Sequence, residues 1–96
     1  MKRLEGKIAL ITGAAGGMGA VDAVLFARQG ATVILTDVQD EMGEETACGI
    51  VASPDTAGSG GSAVYRRLDV TSEPDWVETV TWVESEYDRI DVVVNN

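Results

Sequence analysis

Histidine does not occur anywhere in these 96 residues, which removes His-dependent triads, imidazole metal ligands and imidazole general bases from consideration. A single cysteine, Cys48, excludes an internal disulfide. With no further thiol or imidazole beside it, it reads as a small buried or half-buried apolar residue rather than a reactive thiol. Positive charge is scarce: 7 Lys and Arg against 16 Asp and Glu leave a net charge of −9. That balance argues against a nucleic-acid or anionic-membrane partner and for a solvated acidic exterior. No apolar run approaches the ~20 residues of a membrane span, and the amino terminus lacks a signal peptide's apolar stretch. Cytoplasmic is therefore the default location. The length suits one small domain, and 45% hydrophobic with 24% charged residues is a globular composition.

What the chain does have is glycine in the right place. Thr12-Gly13-Ala14-Ala15-Gly16-Gly17-Met18-Gly19 follows the apolar run Ile8-Ala9-Leu10-Ile11 and opens into a helical pattern. Strand, glycine turn, helix is the order that points bare N–H groups and a helix's positive end at an anion, most often a diphosphate. Each glycine has an expected role: Gly13 makes the turn, Gly17 allows close approach to the diphosphate, and Gly19 packs the helix against the strands. Flexibility alone is the bland alternative for such a cluster. Eighteen residues past Gly19, however, a second apolar run ends in Asp37, where an acid can accept hydrogen bonds from both ribose hydroxyls of an adenosine. The alternative for Asp37 is a turn acid on a solvated loop. No Gly-Lys-Ser/Thr follows the turn, which excludes a P-loop.

In chain order the pattern predicts strands at 7–12, 31–36, 63–68 and 90–95, alternating with helices at 17–29, 40–52 and 72–87. Met18, Val21, Val24 and Leu25 fall on one face of the first helix, the face expected to pack, and Gly30 stands at its C-terminal end. Asp40 is placed to cap the second helix, with Glu41, Glu44 and Glu45 near its positive end; Gly43 and Gly49 weaken it. Residues 53–62, rich in Ser, Gly and Pro, read as a solvated surface loop. Ser72 caps the third helix, Pro74 suits its first turn and Asp75 completes a capping box. Trp76, Val80, Val83 and Tyr87 form that helix's core face, and Trp82 lies apart, free for another partner. Three strand–helix alternations imply a parallel sheet with right-handed crossovers.

Gly6 through Gly13, the Gly17-Met18-Gly19 step, Asp37, Leu68-Asp69-Val70-Thr71 and the closing Asp91-Val92-Val93-Val94-Asn95-Asn96 together resemble the short-chain dehydrogenase/reductase family. The resemblance covers nearly the whole chain, with the motifs in order. It implies an α/β fold of the Rossmann type, three layers αβα around a parallel sheet of order 3-2-1-4, truncated after the fourth strand. It also implies an NAD-dependent oxidoreductase that moves a hydride between a nicotinamide and a secondary alcohol or ketone. The binding residues it implies are Gly13, Gly17, Met18 and Gly19 at the diphosphate, Asp37 and Val38 at the ribose, Asp69 and Val70 at the adenine, and Asn95 beside the adenosine ribose. Asp69 has a plainer alternative, ending its strand, and Asn95 and Asn96 could fray. Val38 and the alanines of the turn offer no cation for a 2′-phosphate, so NAD is expected over NADP.

The family's catalytic serine, and its tyrosine followed four residues on by lysine, have no counterpart here: Tyr65 is followed at that spacing by Asp69 and Tyr87 by Asp91. No catalytic residue and no metal ligand is therefore assigned. Residues 1–96 are expected to be the amino-terminal, cofactor-binding part of a longer single-domain enzyme, inactive alone and a homo-oligomer when complete. A non-catalytic dinucleotide-binding module, sensor or scaffold, is the alternative. A methyltransferase-like Rossmann domain fits less well, since its turn usually lacks the Thr-Gly start.

Overall fold

The computed structural model describes residues 3–96. Four strands, β1 (Ile8–Ile11), β2 (Thr32–Asp37), β3 (Ser62–Arg67) and β4 (Val92–Val94), form one parallel sheet in the order β3-β2-β1-β4. Helices α1 (Gly17–Arg28), α2 (Asp40–Ala52), α3 (Pro54–Ser59) and α4 (Glu73–Tyr87) make the crossovers. The fold class, sheet order and element sequence are those expected, apart from α3. Because side chains alternate across a strand, Ile11, Val33 and Leu35 enter one core with Ala23 and Ala27 of α1 and Ala47 and Ile50 of α2. Ile8, Leu10 and Ile34 enter the opposite core with Val83 of α4. Register follows from these cores: Leu10 stands opposite Ile34 and Val93, and Ile34 opposite Val64.

Four local readings are corrected. The buried face of α1 is Gly19, Ala23 and Ala27, whereas Met18, Val21, Val24 and Leu25 are 72%, 53%, 37% and 49% exposed. Close approach of helix to sheet selects small side chains, so size rather than hydrophobicity marks the packed face. Cys48 is exposed, because α2 turns Gly43, Ala47 and Ile50 inward instead. On α4 the expected face does pack, with Val83 fully buried and half-buried Trp76 and Tyr87 against the second core, joined by the buried Thr79. Trp82 is not apart: it packs on the second core, meets Tyr87 edge-on at 5.9 Å between centroids and lies under the Arg66 guanidinium at 4.9 Å.

The fourth correction concerns residues 53–62. Ser53 is extended ahead of Pro54, as a residue before proline should be, and Pro54 opens α3 from its first turn. Thr56 and Ser59 are buried, and the Ser59 hydroxyl sits 2.7 Å from Ala27 O and 2.8 Å from Thr56 O while accepting from Gly61 N–H at 3.1 Å. Arg28 of α1 pairs with Asp55. The segment is stapled to the end of α1. Ser59→Ala leaves two buried carbonyls without that donor, so it should cost about 1–2 kcal/mol, read as a lower urea midpoint at unchanged slope.

Candidate functional site

At the carboxyl edge of the sheet the turn after β1 is held from three directions. Thr12, fully buried, donates its N–H to Val94 O at 3.0 Å and its hydroxyl to Asn95 Oδ1 at 3.0 Å. It receives the Asn96 N–H on Oγ1 at 3.0 Å, and Asn96 Nδ2 donates to Thr12 O at 2.9 Å. The two asparagines, for which fraying was an open alternative, are thus latched to β1. Ala14 N–H reaches Thr36 O at 3.0 Å, and the Thr46 hydroxyl reaches Ala15 O at 2.9 Å.

Gly13 and Gly17 both adopt φ of +60°, the left-handed region that side chains disfavour. A β-carbon on Gly17 would meet nothing within 4 Å, so the space above it is open. Gly19 is different in kind: its β-carbon would lie 2.3 Å from Gly13 O and 2.9 Å from Ala14 Cα. Its nearest neighbours belong to the turn itself, onto which it packs the start of the helix. Met18 projects outward, 72% exposed.

The first turn of a helix leaves backbone N–H groups without partners, together with about half a positive charge. In α2, α3 and α4 acids occupy that turn: Asp40 and Glu41, Asp55, and Glu73 with Asp75. α1 has none, and its cap residue Gly16 offers no side chain. Its positive end is uncommitted.

Asp37 closes β2 beside this turn. Its Oδ2 accepts the Ala15 N–H at 3.1 Å, and its Oδ1 accepts the N–H groups of Val38 at 2.7 Å and Gln39 at 3.2 Å. Val38 is 47% exposed. Val38 and the turn carry no cation of their own, but Arg67 of β3 lies beside Val38: its Nη1 donates to Val38 O at 2.8 Å and to Asp40 Oδ2 at 3.2 Å. Tyr65 joins the group, its hydroxyl 2.7 Å from both Asp37 O and Asp40 Oδ1. Asp40 is therefore the first residue of α2 and not its cap, which is Gln39. Tyr65, Arg67 and the side chain of Asp40 were missed by motif reading. The available signal was register: Tyr65 and Arg67 stand opposite Leu35 and Asp37.

Asp69 and Val70 follow β3. The Asp69 carboxylate accepts from the Thr71 hydroxyl at 2.6 Å and the Thr71 N–H at 2.9 Å. Those two bonds, with Arg67 nearby, hold its carboxyl below the usual range. Ser72 caps α4 through the Asp75 N–H, but the capping box is only half formed, because the Asp75 carboxylate turns to the Asp69 N–H at 3.1 Å. Val70 is 47% exposed, and its carbonyl takes the Trp76 indole N–H at 2.9 Å. The turn, Asp37 and Asn95 are thus joined through direct bonds to the turn and Thr12. Asp69 and Val70 sit one strand further along the same edge, tied in where Leu68 N–H meets Asp37 O at 3.0 Å.

A parallel sheet of this order with flanking helices and a glycine turn at its carboxyl edge defines an α/β domain of the Rossmann type. The chain belongs to the short-chain dehydrogenase family, whose model matches residues 7–96. It is similar to tropinone reductase-like 1 of Erythroxylum coca, 41% identical over 95 residues, covering 99% of this chain and 32% of that protein. It is equally similar to cyclopentanol dehydrogenase of Comamonas testosteroni, 41% identical over 96 residues, covering 100% of this chain and 36% of that one. The crystal structure of a hydroxysteroid dehydrogenase from Escherichia coli superposes with a TM-score of 0.77 at 35% identity, covering 98% of this chain and 37% of that chain. The chain therefore spans about a third of the length of these relatives. No helix among the described residues is long and apolar enough to cross a membrane.

Two outcomes follow from this geometry. Gly19→Ala meets fixed backbone rather than a movable side chain, so it should cost about 3 kcal/mol or more, seen as a large drop in calorimetric melting temperature. Asp69 has a depressed folded pKa, so its stabilising effect is complete above the ordinary aspartate value of 3.8 and is lost as pH falls through the lower folded value. Thr71→Val removes the largest cause of that depression and should flatten the fall in urea stability between neutral pH and the acid limb.

Proposed function

We propose that residues 1–96 form the dinucleotide-binding part of an NAD-dependent oxidoreductase of the short-chain type, which interconverts a secondary alcohol and a ketone. One observation carries the reading: α1 alone among the described helices begins with neither an acid nor a side-chain cap, and the carboxylate of Asp37 is bonded to the same turn. The residues present fit such a cofactor. Open space above Gly17 admits a diphosphate to the first-turn N–H groups of Gly17, Met18 and Gly19, with Gly13 shaping the turn. Asp37 would accept from both ribose hydroxyls beside Val38, Asp69 and the Val70 N–H would face the adenine, and Asn95 would stand by the adenosine ribose. Bound nicotinamide supplies the hydride chemistry, while the protein supplies position and field.

The 2′-phosphate of NADP would meet the Asp37 carboxylate, and the nearby Arg67 is already engaged by Asp40 and Val38 O. That arrangement favours NAD. The secondary alcohol is supported by relatives named for a cyclopentanol and a hydroxysteroid.

Isothermal titration of this chain with NAD and NADP, repeated with Asp37→Ala, tests the assignment. NAD should bind more tightly, and the mutant should lose about tenfold or more of that preference, the worth of hydrogen bonds to a charged acceptor. Equal affinity for the two cofactors, or a preference untouched by the mutation, would sink the NAD assignment. Binding of neither by a folded chain would sink the reading of residues 1–96 as a cofactor-binding part.

A further inference from the structure

Tyr65 lies outside the glycine turn and outside the residues proposed to touch the cofactor, yet it is built into the site with little tolerance. Its ring occupies the space that a β-carbon on Gly43 would need, 2.2 Å from Tyr65 Cε1, so the bare backbone of α2 is what lets the ring lie there. Its hydroxyl then reaches Asp37 O and Asp40 Oδ1, both at 2.7 Å, one proton shared in a three-centre arrangement. Burial first, and then the Asp40 carboxylate, push the hydroxyl's pKa up. Tyr65 remains a donor throughout the working pH range.

The consequence runs through peptide planarity. The carbonyl of Asp37 and the N–H of Val38 belong to one rigid peptide plane. Tyr65 and the Leu68 N–H hold the carbonyl side of that plane, and its N–H side donates to Asp37 Oδ1 at 2.7 Å. The next plane repeats the device: Arg67 holds Val38 O, and the Gln39 N–H of the same plane donates to Asp37 Oδ1 at 3.2 Å. Both peptide planes that donate to Asp37 Oδ1 are therefore held by side chains of β3, at alternate positions of one strand.

We infer that Tyr65 is a positioning residue for cofactor choice: through the Asp37 carbonyl it fixes the direction of the Asp37 carboxylate and so sets the discrimination between NAD and NADP. Arg67 supports it from the neighbouring plane. The inference rests on the cofactor reading above.

Tyr65→Phe keeps the ring beside Gly43 and removes only the hydroxyl. NAD affinity of this chain, by titration calorimetry, should fall about three- to tenfold, the worth of one net hydrogen bond, while NADP affinity stays unchanged. The amide resonances of Val38 and Ala15, which report the two carboxylate oxygens, should shift in the 15N–1H spectrum without any cofactor. Arg67→Met should move the Gln39 amide, and Arg67→Gln, which retains an N–H donor, should restore it in part. Equal loss of affinity for both cofactors alongside a lower melting temperature would make Tyr65 merely structural and overturn the inference. So would unmoved resonances together with unchanged selectivity, in a chain whose NAD preference still collapses with Asp37→Ala. Wild-type chain that binds neither cofactor overturns the cofactor reading, and this inference with it.

Discussion

A β-carbon on Gly19 would sit 2.3 Å from Gly13 O, and the carboxyl edge of the sheet depends on its absence. Because α1 can start directly on the turn, its first N–H groups face the open space above Gly17. The turn in turn is close enough to β2 for Ala14 and Ala15 to reach Thr36 O and the Asp37 carboxylate. It is also close enough to β4 for Thr12 to take up both asparagines. A side chain at Gly19 would lift the helix start off the turn and loosen each of these bonds together. One missing carbon thus couples three strands to one helix end.

The second dependency is the chain after β2. Asp37 is an ionised acceptor at the rim of a sheet, and such a group is costly to orient unless its oxygens are satisfied. Three backbone N–H groups do this, and two of them are fixed by what β3 does to the opposite side of their peptide planes. The strand that carries Tyr65 and Arg67 therefore governs a carboxylate it does not itself donate to. The bare backbone of Gly43 permits it, which explains a glycine inside α2 that helix propensity alone would reject.

How much of this could be read from residues divides along a physical line. Strand positions were legible because apolar runs of four to six residues bounded by turns leave few other options, and the turn after β1 because its tight geometry needs glycine; the sheet order was implied by the family resemblance and not by local pattern. The packed face of α1 was not legible: Met18, Val21, Val24 and Leu25 face outward, and the fully buried residues are the small Gly19, Ala23 and Ala27. α3 was hidden by composition, since Ser, Gly and Thr are loop-like until Ser59 finds the Ala27 carbonyl. Tyr65, Arg67 and Asp40 form no motif at all. Their meeting depends on the register between β2 and β3, a long-range fact that local pattern does not contain. Trp82 belongs with them, because its partner Arg66 also comes from β3.

A chain with net charge −9 is an unpromising host for a diphosphate, and the distribution of its acids resolves the conflict. Every described helix but α1 has carboxylates in its first turn, so the positive ends of α2, α3 and α4 are already answered and do not compete for an anion. At the α1 end the positive field is left unanswered. Asp37, bonded to the turn ahead of α1, and Asp69, one strand further along the edge, stand where the proposed ligand presents hydroxyls and an amine, which are donors. Excess negative charge then becomes compatible with an anionic ligand, and even selective: it would tolerate two phosphates at one point on the edge and repel a third placed at Asp37. Selectivity of that kind needs no added cation. It needs the carboxylate to keep its direction, which is why the bonds behind Asp37 matter as much as the charge in front of it.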